Sequence, residues 1–224
     1  MYKTEEGRQL LGTRRQLNDT EISVDKLRQL EEGTFGREII NFMDAHSFDP
    51  FKRPQVRYIE DEELAYVMQR YRQVHDLWHV LAGLPPTVLG EVAIKWMELV
   101  QTGLPMTAFA GVFGPLRLKV EEQIFLATTL LPWAAKVATT TPFLLSVHYE
   151  DMFEEDLDKI RNMLHFDPAP QIPSDLNQWT KDAVNEKLPE ILQQEGTSVM
   201  QQEKASISES LNNFWNTEEE RGRV

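Results

Sequence analysis

The chain of 224 residues carries a net charge of −13, which excludes nucleic acid as a partner and disfavours anionic headgroups unless one face is locally basic. Its 41% hydrophobic and 26% charged residues suit one soluble domain with a real core. No cysteine is present, so disulfides and thiolate metal sites are both excluded.

The opening run Met1-Tyr-Lys-Thr-Glu-Glu6 has neither the apolar core of a signal peptide nor the acid-poor, Arg/Ser-rich character of a transit peptide. Ser23 caps a predicted helix from Val24 to Glu32, which Gly33 ends. A second runs from Thr34 to about Ala45, with Phe35, Ile39, Phe42 and Met43 at helical spacing. The stretch from Asp49 to Pro54 reads as a loop. Asp61, Glu62 and Glu63 then place acids in the first turn of a long helix bearing Leu64, Val67, Tyr71 and Val74.

That helix ends in His75-Asp-Leu-Trp-His79, and Glu91 follows twelve residues later. At about 100° per residue, His75 and His79 share one stripe, with Asp76 about 60° round from His79. Gly83-Leu-Pro-Pro86 breaks the helix about one turn past His79. Thr87 caps the next, Val88 to roughly Val100. One turn down and one turn back, each roughly 6 Å, brings Glu91 level with His79 in an antiparallel hairpin. Two imidazoles and two carboxylates make a nitrogen/oxygen donor set for a divalent metal, zinc foremost, with iron, manganese or magnesium admitted. A zinc-protease helix would carry Glu directly after the first His; the shorter Asp76 weakens that reading. A His-Asp phosphohydrolase would need a separate upstream His, for which only His46 offers itself.

Helical phase brings Arg72, Lys95 and Glu98 beside the metal residues, either as an ion-pair network orienting them or as substrate contacts. After the hairpin comes the apolar stretch Leu104 to Phe113, whose Gly103, Gly111 and Gly114 point to close helix packing. Arg117 is an isolated cation able to meet an anionic group, and it opens a helix to about Thr140, bent near Pro132. Tyr149 to Leu164 reads as one acidic, amphipathic helix, with His148, Tyr149, Glu150 and Asp151 at its solvated start. His46 and His165 are read as surface residues complementing helix dipoles. Pro168 to Pro173 marks a boundary, beyond which 174–194 and 197–215 read as two polar peripheral helices and 217–221 as a frayed tail.

The run His75-Asp-Leu-Trp-His-Val-Leu-Ala-Gly-Leu-Pro85 is continued by Leu89-Gly-Glu-Val-Ala-Ile-Lys-Trp-Met-Glu98 and Gln101-Thr-Gly-Leu-Pro-Met106. With Phe113-Gly-Pro-Leu-Arg117, Leu131-Pro-Trp133 and Tyr149-Glu150, it closely resembles the fourth Coq family of ubiquinone biosynthesis. The resemblance begins near Gly33 and fades around Pro170. It implies His75, Asp76, His79 and Glu91 as metal ligands; the substrate-binding candidates Arg72, Lys95, Glu98 and Arg117 rest on helical phase and charge alone. It further implies a ring substrate with a polyprenyl tail, so that part of the apolar surface between 80 and 147 should line a groove.

The expectation is therefore an all-α, single-domain helical bundle over 1–224, with a family core at 33–170, a metal-binding hairpin and a lipid groove. The activity implied is metal-dependent removal of the ring carboxylate of a 4-hydroxy-3-methoxy-5-polyprenylbenzoate-type ring, the oxidative version replacing it with hydroxyl. The alternative is a non-catalytic prenyl-lipid carrier or scaffold. Partners expected are the prenylated substrate and other quinone-biosynthesis enzymes, with room for a homodimer. With no apolar run near the ~20 residues that span a bilayer, the location expected is the bacterial cytoplasm, a peripheral hold on the inner membrane being allowed.

Overall fold

Caps written into the sequence set most of the helix starts. In the computed structural model, which describes residues 1–18, 20 and 22–194, Thr4 caps α1 (Glu5–Thr13), a helix to which the sequence patterns assign nothing. Ser23 caps α2 (Val24–Arg28), accepting from the Lys26 amide at 3.3 Å. Gly33 follows with a left-handed φ of 87°, and α3 (Phe35–Ala45) buries Phe35, Ile39, Ile40 and Met43. Asp61 accepts from the Leu64 amide at 2.8 Å and opens α4 (Glu62–Ala82). Thr87 caps α5 (Val88–Thr102) through the Gly90 amide. The protein is all-α: among the described residues the only β pairing is an isolated bridge between Thr34 and Asp156.

Helix α4 is the axis of the unit formed by residues 1–173. From Gln69 to Ala82 almost every side chain is buried, so the helix is enclosed on all sides rather than lying on a surface. One face is sewn to the segment 144–151. Arg70, fully buried, donates to the carbonyls of Leu145 and Val147 and pairs with Glu150 at 2.7 Å. Trp78 donates to the Tyr149 hydroxyl, which donates in turn to the Leu144 carbonyl. The expected solvated helix start at His148–Asp151 is thus corrected, because Tyr149 and Glu150 are the buried partners of α4. The other face of α4 carries Tyr71, His75 and His79 toward α5.

Two expected long helices are broken, each for a physical reason. Tyr149–Leu164 gives only a 3-10 turn at Tyr149–Asp151 and α9 (Leu157–Met163). Between them, the Phe153 and Glu155 carbonyls accept from the first amides of α3 at Gly36 and Phe35, both at 2.8 Å. A continuous helix would consume those carbonyls internally. Likewise, Arg117 ends a 3-10 turn after α6 (Pro105–Phe113) instead of opening a helix. The chain re-enters at α7 (Val120–Phe125), widens into a π turn at Leu126–Leu130, and continues as α8 (Leu131–Thr140). The wide turn lies just before Pro132, which supplies no amide hydrogen and cannot sit in an ordinary helix interior.

The close packing expected of the glycine-rich stretch is present at Gly111 and Gly114, whereas Gly103 has open space around it and serves as the left-handed cap of α5. A Cβ on Gly111 would stand 3.2 Å from Trp96, and one on Gly114 would stand 2.5 Å from Val92, so α6 is drawn tightly onto α5. The second unit, from Ser174, contributes α10 (Leu176–Gln194), the first of the two C-terminal helices expected; 197–215 lies outside the described residues.

Arg70→Met should destabilise the fold by about 3–5 kcal/mol, since it strands the Glu150 carboxylate in the interior. Denaturant melting of Arg70→Met beside Arg70→Met/Glu150→Gln checks this, the double variant recovering part of the loss.

Candidate metal centre

His75 and His79 reach their positions because α4 stays helical to Ala82. Gly83, at φ 67°, then closes it with paired bonds from the Gly83 and Leu84 amides to the Val80 and His79 carbonyls. The turn does more than reverse the chain. Leu84 presents its carbonyl to His79 Nδ1 at 3.0 Å, and a carbonyl only accepts, so Nδ1 carries a proton and Nε2 faces the returning helix. Glu91 returns on α5 with Oε1 3.3 Å from His79 Nε2 and Oε2 3.3 Å from His75 Nε2. The hairpin thus delivers the carboxylate between the two imidazoles.

His75 is oriented by a buried carboxylate. Glu98, fully enclosed, accepts from His75 Nδ1 at 2.6 Å, from Lys95 at 2.8 Å and from the Tyr71 hydroxyl. Lys95 also donates to Tyr71 at 3.0 Å. Burial pushes the His75 ring down, but contact with Glu91 and Glu98 outweighs it and the imidazolium is pushed up to about 9, with Lys95 opposing. Burial likewise favours a neutral Glu91, yet the two imidazoles hold its carboxyl well below the usual carboxylate range. Burial and the Glu98 charge push the Tyr71 phenol up, so it stays protonated.

His75, His79 and Glu91 present ligand atoms within 4.8 Å of one another, an arrangement able to hold a metal ion. A shared ion about 2.1 Å from each donor would draw them slightly closer than this. Buried His79 Nε2 makes no well-aligned hydrogen bond and faces only Glu91 Oε1 at 3.3 Å, as suits a ligand atom for a cation. Glu91 is 38% exposed, so solvent or a small molecule can reach this side. The donor set is the two-His, one-carboxylate kind that zinc, iron or manganese accepts.

Asp76 departs from the expected ligand set. Rotated by about 100° from His75, it is buried beside the loop before α4 and its carboxylate pairs with Arg53. Among the substrate candidates, Lys95 and Glu98 join the His75 cluster, whereas Arg72 donates to the Pro54 carbonyl at 3.0 Å. Arg117 is exposed beyond α6, with no hydrogen bond or ion pair tying it to the cluster. His46 ends α3, bonded to the Phe42 carbonyl with its ring tilted against that of Phe42, and His165 is exposed past α9. Sequence spacing missed Arg53, 23 residues from its partner, and Tyr71, which had read only as core.

The family profile described as "Coenzyme Q (ubiquinone) biosynthesis protein Coq4" matches residues 1–170, so the likeness starts well before Gly33. The chain is 42% identical over 171 residues to the mouse ubiquinone biosynthesis protein COQ4 homolog, mitochondrial, covering 76% of this chain and 64% of that protein. It is 38% identical over 181 residues to the mitochondrial COQ4 protein of Coprinopsis cinerea, covering 81% and 60%. The matches therefore span a little under two thirds of these relatives' length. A crystal structure of a Nostoc punctiforme protein, described as a candidate ubiquinone biosynthesis protein, superposes with a TM-score of 0.60 at 24% identity. It covers 74% of this chain and 77% of that one, and shares the fold. The relatives' names point to mitochondria and overturn the expected bacterial cytoplasmic location.

Metal titration by calorimetry should give saturable zinc or manganese binding that His79→Ala abolishes. A cation needs the neutral His75 ring, so below about pH 9 a proton competes for it. Affinity should therefore climb by up to roughly tenfold per pH unit toward that value and level off above it. A flat profile between pH 6 and 8 would exclude His75 from the site.

Proposed function

The chain belongs to the Coq4 family of ubiquinone biosynthesis, and on that premise we propose that it decarboxylates a polyprenylated 4-hydroxy-3-methoxybenzoate at the His75–His79–Glu91 centre. The observation that carries this reading is the three-donor group with one side open to solvent, the form of a catalytic rather than a closed structural site. A bound divalent metal would supply Lewis-acid stabilisation of charge on the ring oxygens, and a redox-active one, with dioxygen as oxidant and oxygen source, would admit replacement of the carboxylate by hydroxyl with loss of carbon dioxide. His75, His79 and Glu91 would hold it.

The remaining residues bind and orient. Lys95 places a cation at the rim of the cluster, where the substrate's carboxylate or phenolate would lie. Glu98 fixes the His75 ring and the Lys95 ammonium together, and Arg53 holds Asp76 in place. An apolar cavity of about 420 Å³ supports the tail-binding part of the reading. It is lined by Leu11, Val67, Met68, Leu104, Phe143 and Leu145 among others, and Tyr71 stands in its wall. This differs from the groove expected within 80–147, because residues before the metal motif provide most of the lining. Tyr71 bonds Glu98 and Lys95 through its hydroxyl and belongs to the cavity lining, so one residue joins the greasy end to the polar end.

That separation also favours the second reading: no metal-site residue lines the cavity, as a carrier or scaffold organising other quinone-biosynthesis proteins would permit. Short-tailed ring analogues bearing an isotope-labelled carboxylate discriminate between the two. With zinc, manganese or ferrous iron supplied, labelled carbon dioxide should be released, and Glu91→Gln should suppress it by at least about a hundredfold. Lys95→Gln should cost about ten- to a hundredfold. Analogue binding without any release under all three metals would leave the carrier reading.

A further inference from the structure

The end of α4 is closed by residues from far along the chain. A helix leaves its last four carbonyls without internal partners, here those of His79, Val80, Leu81 and Ala82. The turn satisfies the first two locally, through the Leu84 and Gly83 amides at 3.1 and 3.2 Å. Arg161, 80 residues beyond Leu81, donates its Nε to the Leu81 carbonyl at 2.9 Å and its Nη2 to that of Val80 at 3.2 Å. The Ala169 amide donates to the Ala82 carbonyl at 2.8 Å. The guanidinium lies against the turn itself, since a Cβ on Gly83 would stand 3.8 Å from Arg161 Nη2. Its own position is secured. Nη1 pairs with Asp158 at 2.8 Å, and the Arg161 carbonyl accepts from the Phe166 amide at 2.8 Å. Trp133 donates to the Asp167 carbonyl at 2.9 Å with the buried Phe166 ring edge-on to its indole, which ties the segment between Arg161 and Ala169 onto α8.

We propose that Arg161 is a positioning residue of the metal centre: by holding the Val80 and Leu81 carbonyls it fixes the turn whose Leu84 carbonyl sets the His79 ring. The chain of contacts is short. Leu84 donates its amide to the His79 carbonyl and accepts from His79 Nδ1, so the orientation of the ring follows one residue of the turn. Nε2, on the far side of the ring, faces Glu91, and a tilt of the turn is therefore delivered to the ligand atom. Arginine suits the task because its planar fork meets two successive carbonyls at once while its cation opposes the negative end of the helix dipole. A lysine ammonium is a point charge that matches one carbonyl at a time. Arg161 acts through the backbone and the turn rather than as a ligand. Its role at a metal centre rests on the reading of His75, His79 and Glu91 as ligands; its hold on the His79 ring does not.

Two measurements on the full chain separate these claims. In metal-free protein with isotope-labelled histidine, magnetic resonance should show a His79 Nδ1 proton, identified by its loss in His79→Gln, that exchanges slowly with solvent. Arg161→Met should speed that exchange by at least about tenfold. In calorimetry with zinc chloride, Arg161→Met should bind roughly tenfold more weakly than wild type. Arg161→Lys should recover part of both effects and remain about threefold short of wild type; it carries the same comparison should the methionine variant fail to fold. Leu10→Ala, a core truncation on α1, isolates the effect of lost stability and should leave both readings within about twofold of wild type. Unchanged exchange or unchanged zinc affinity in Arg161→Met overturns the proposal. A lysine variant equal to wild type overturns the two-carbonyl hold, leaving helix-end charge as the whole effect. A Leu10→Ala variant matching Arg161→Met overturns it as well, since stability alone would then account for both. Wild type that takes up no zinc removes the metal reading, and the exchange measurement, made without metal, still decides whether Arg161 sets the ring.

Discussion

A carboxylate sealed in the interior is costly unless every approach to it is satisfied, and Glu98 is sealed completely. Its partners come from two helices: Tyr71 and His75 from α4, and Lys95 from its own α5. Bringing them together fixes the register of α4 against α5. With that register set, Glu91, about two turns back along α5, falls between His75 and His79. The geometry of the candidate metal site is in this sense a consequence of how one buried anion is neutralised. The same network keeps a positive group, Lys95, beside the cluster, and turns the His75 Nε2 toward Glu91.

The opposite face of α4 supplies the rigidity that such a site needs. Arg70 spends its donors on two backbone carbonyls and Glu150, and Trp78 and Tyr149 extend the same seam to Leu144. A helix clamped on one side by buried polar bonds and on the other by Glu98 has little freedom to rotate. Phe42 of α3 adds a stacked cover on His79, their ring centroids 5.8 Å apart. Catalytic geometry held to a fraction of an ångström requires supports of this kind.

Polar and apolar functions meet along α4 and α5. Tyr71 is one turn before His75, so it borders the apolar cavity while its hydroxyl joins the Glu98 network. On α5, Glu91, Lys95 and Glu98 face the metal centre while Trp96 and Val92 seat α6. One helix therefore links the cluster to the exposed apolar face of α6 by direct packing rather than by a long connection.

The sequence by itself determined the hairpin and its caps, because those depend on neighbours in the chain. Gly83 takes a left-handed conformation, Pro85 and Pro86 stop the helix, and Thr87 starts the next; counting turns then places Glu91 opposite the two histidines. Family motifs from His75 to Tyr149 were equally legible. Other features were decided only by the tertiary structure. Asp76 is drawn to Arg53 across 23 residues, the Phe153 and Glu155 carbonyls interrupt a helix in order to begin α3, and the cavity takes its lining from segments as distant as Leu11 and Phe143. Helical periodicity says which residues share a stripe, but a buried charge or carbonyl takes whichever partner the folded chain brings within reach, and that partner has no fixed spacing in sequence.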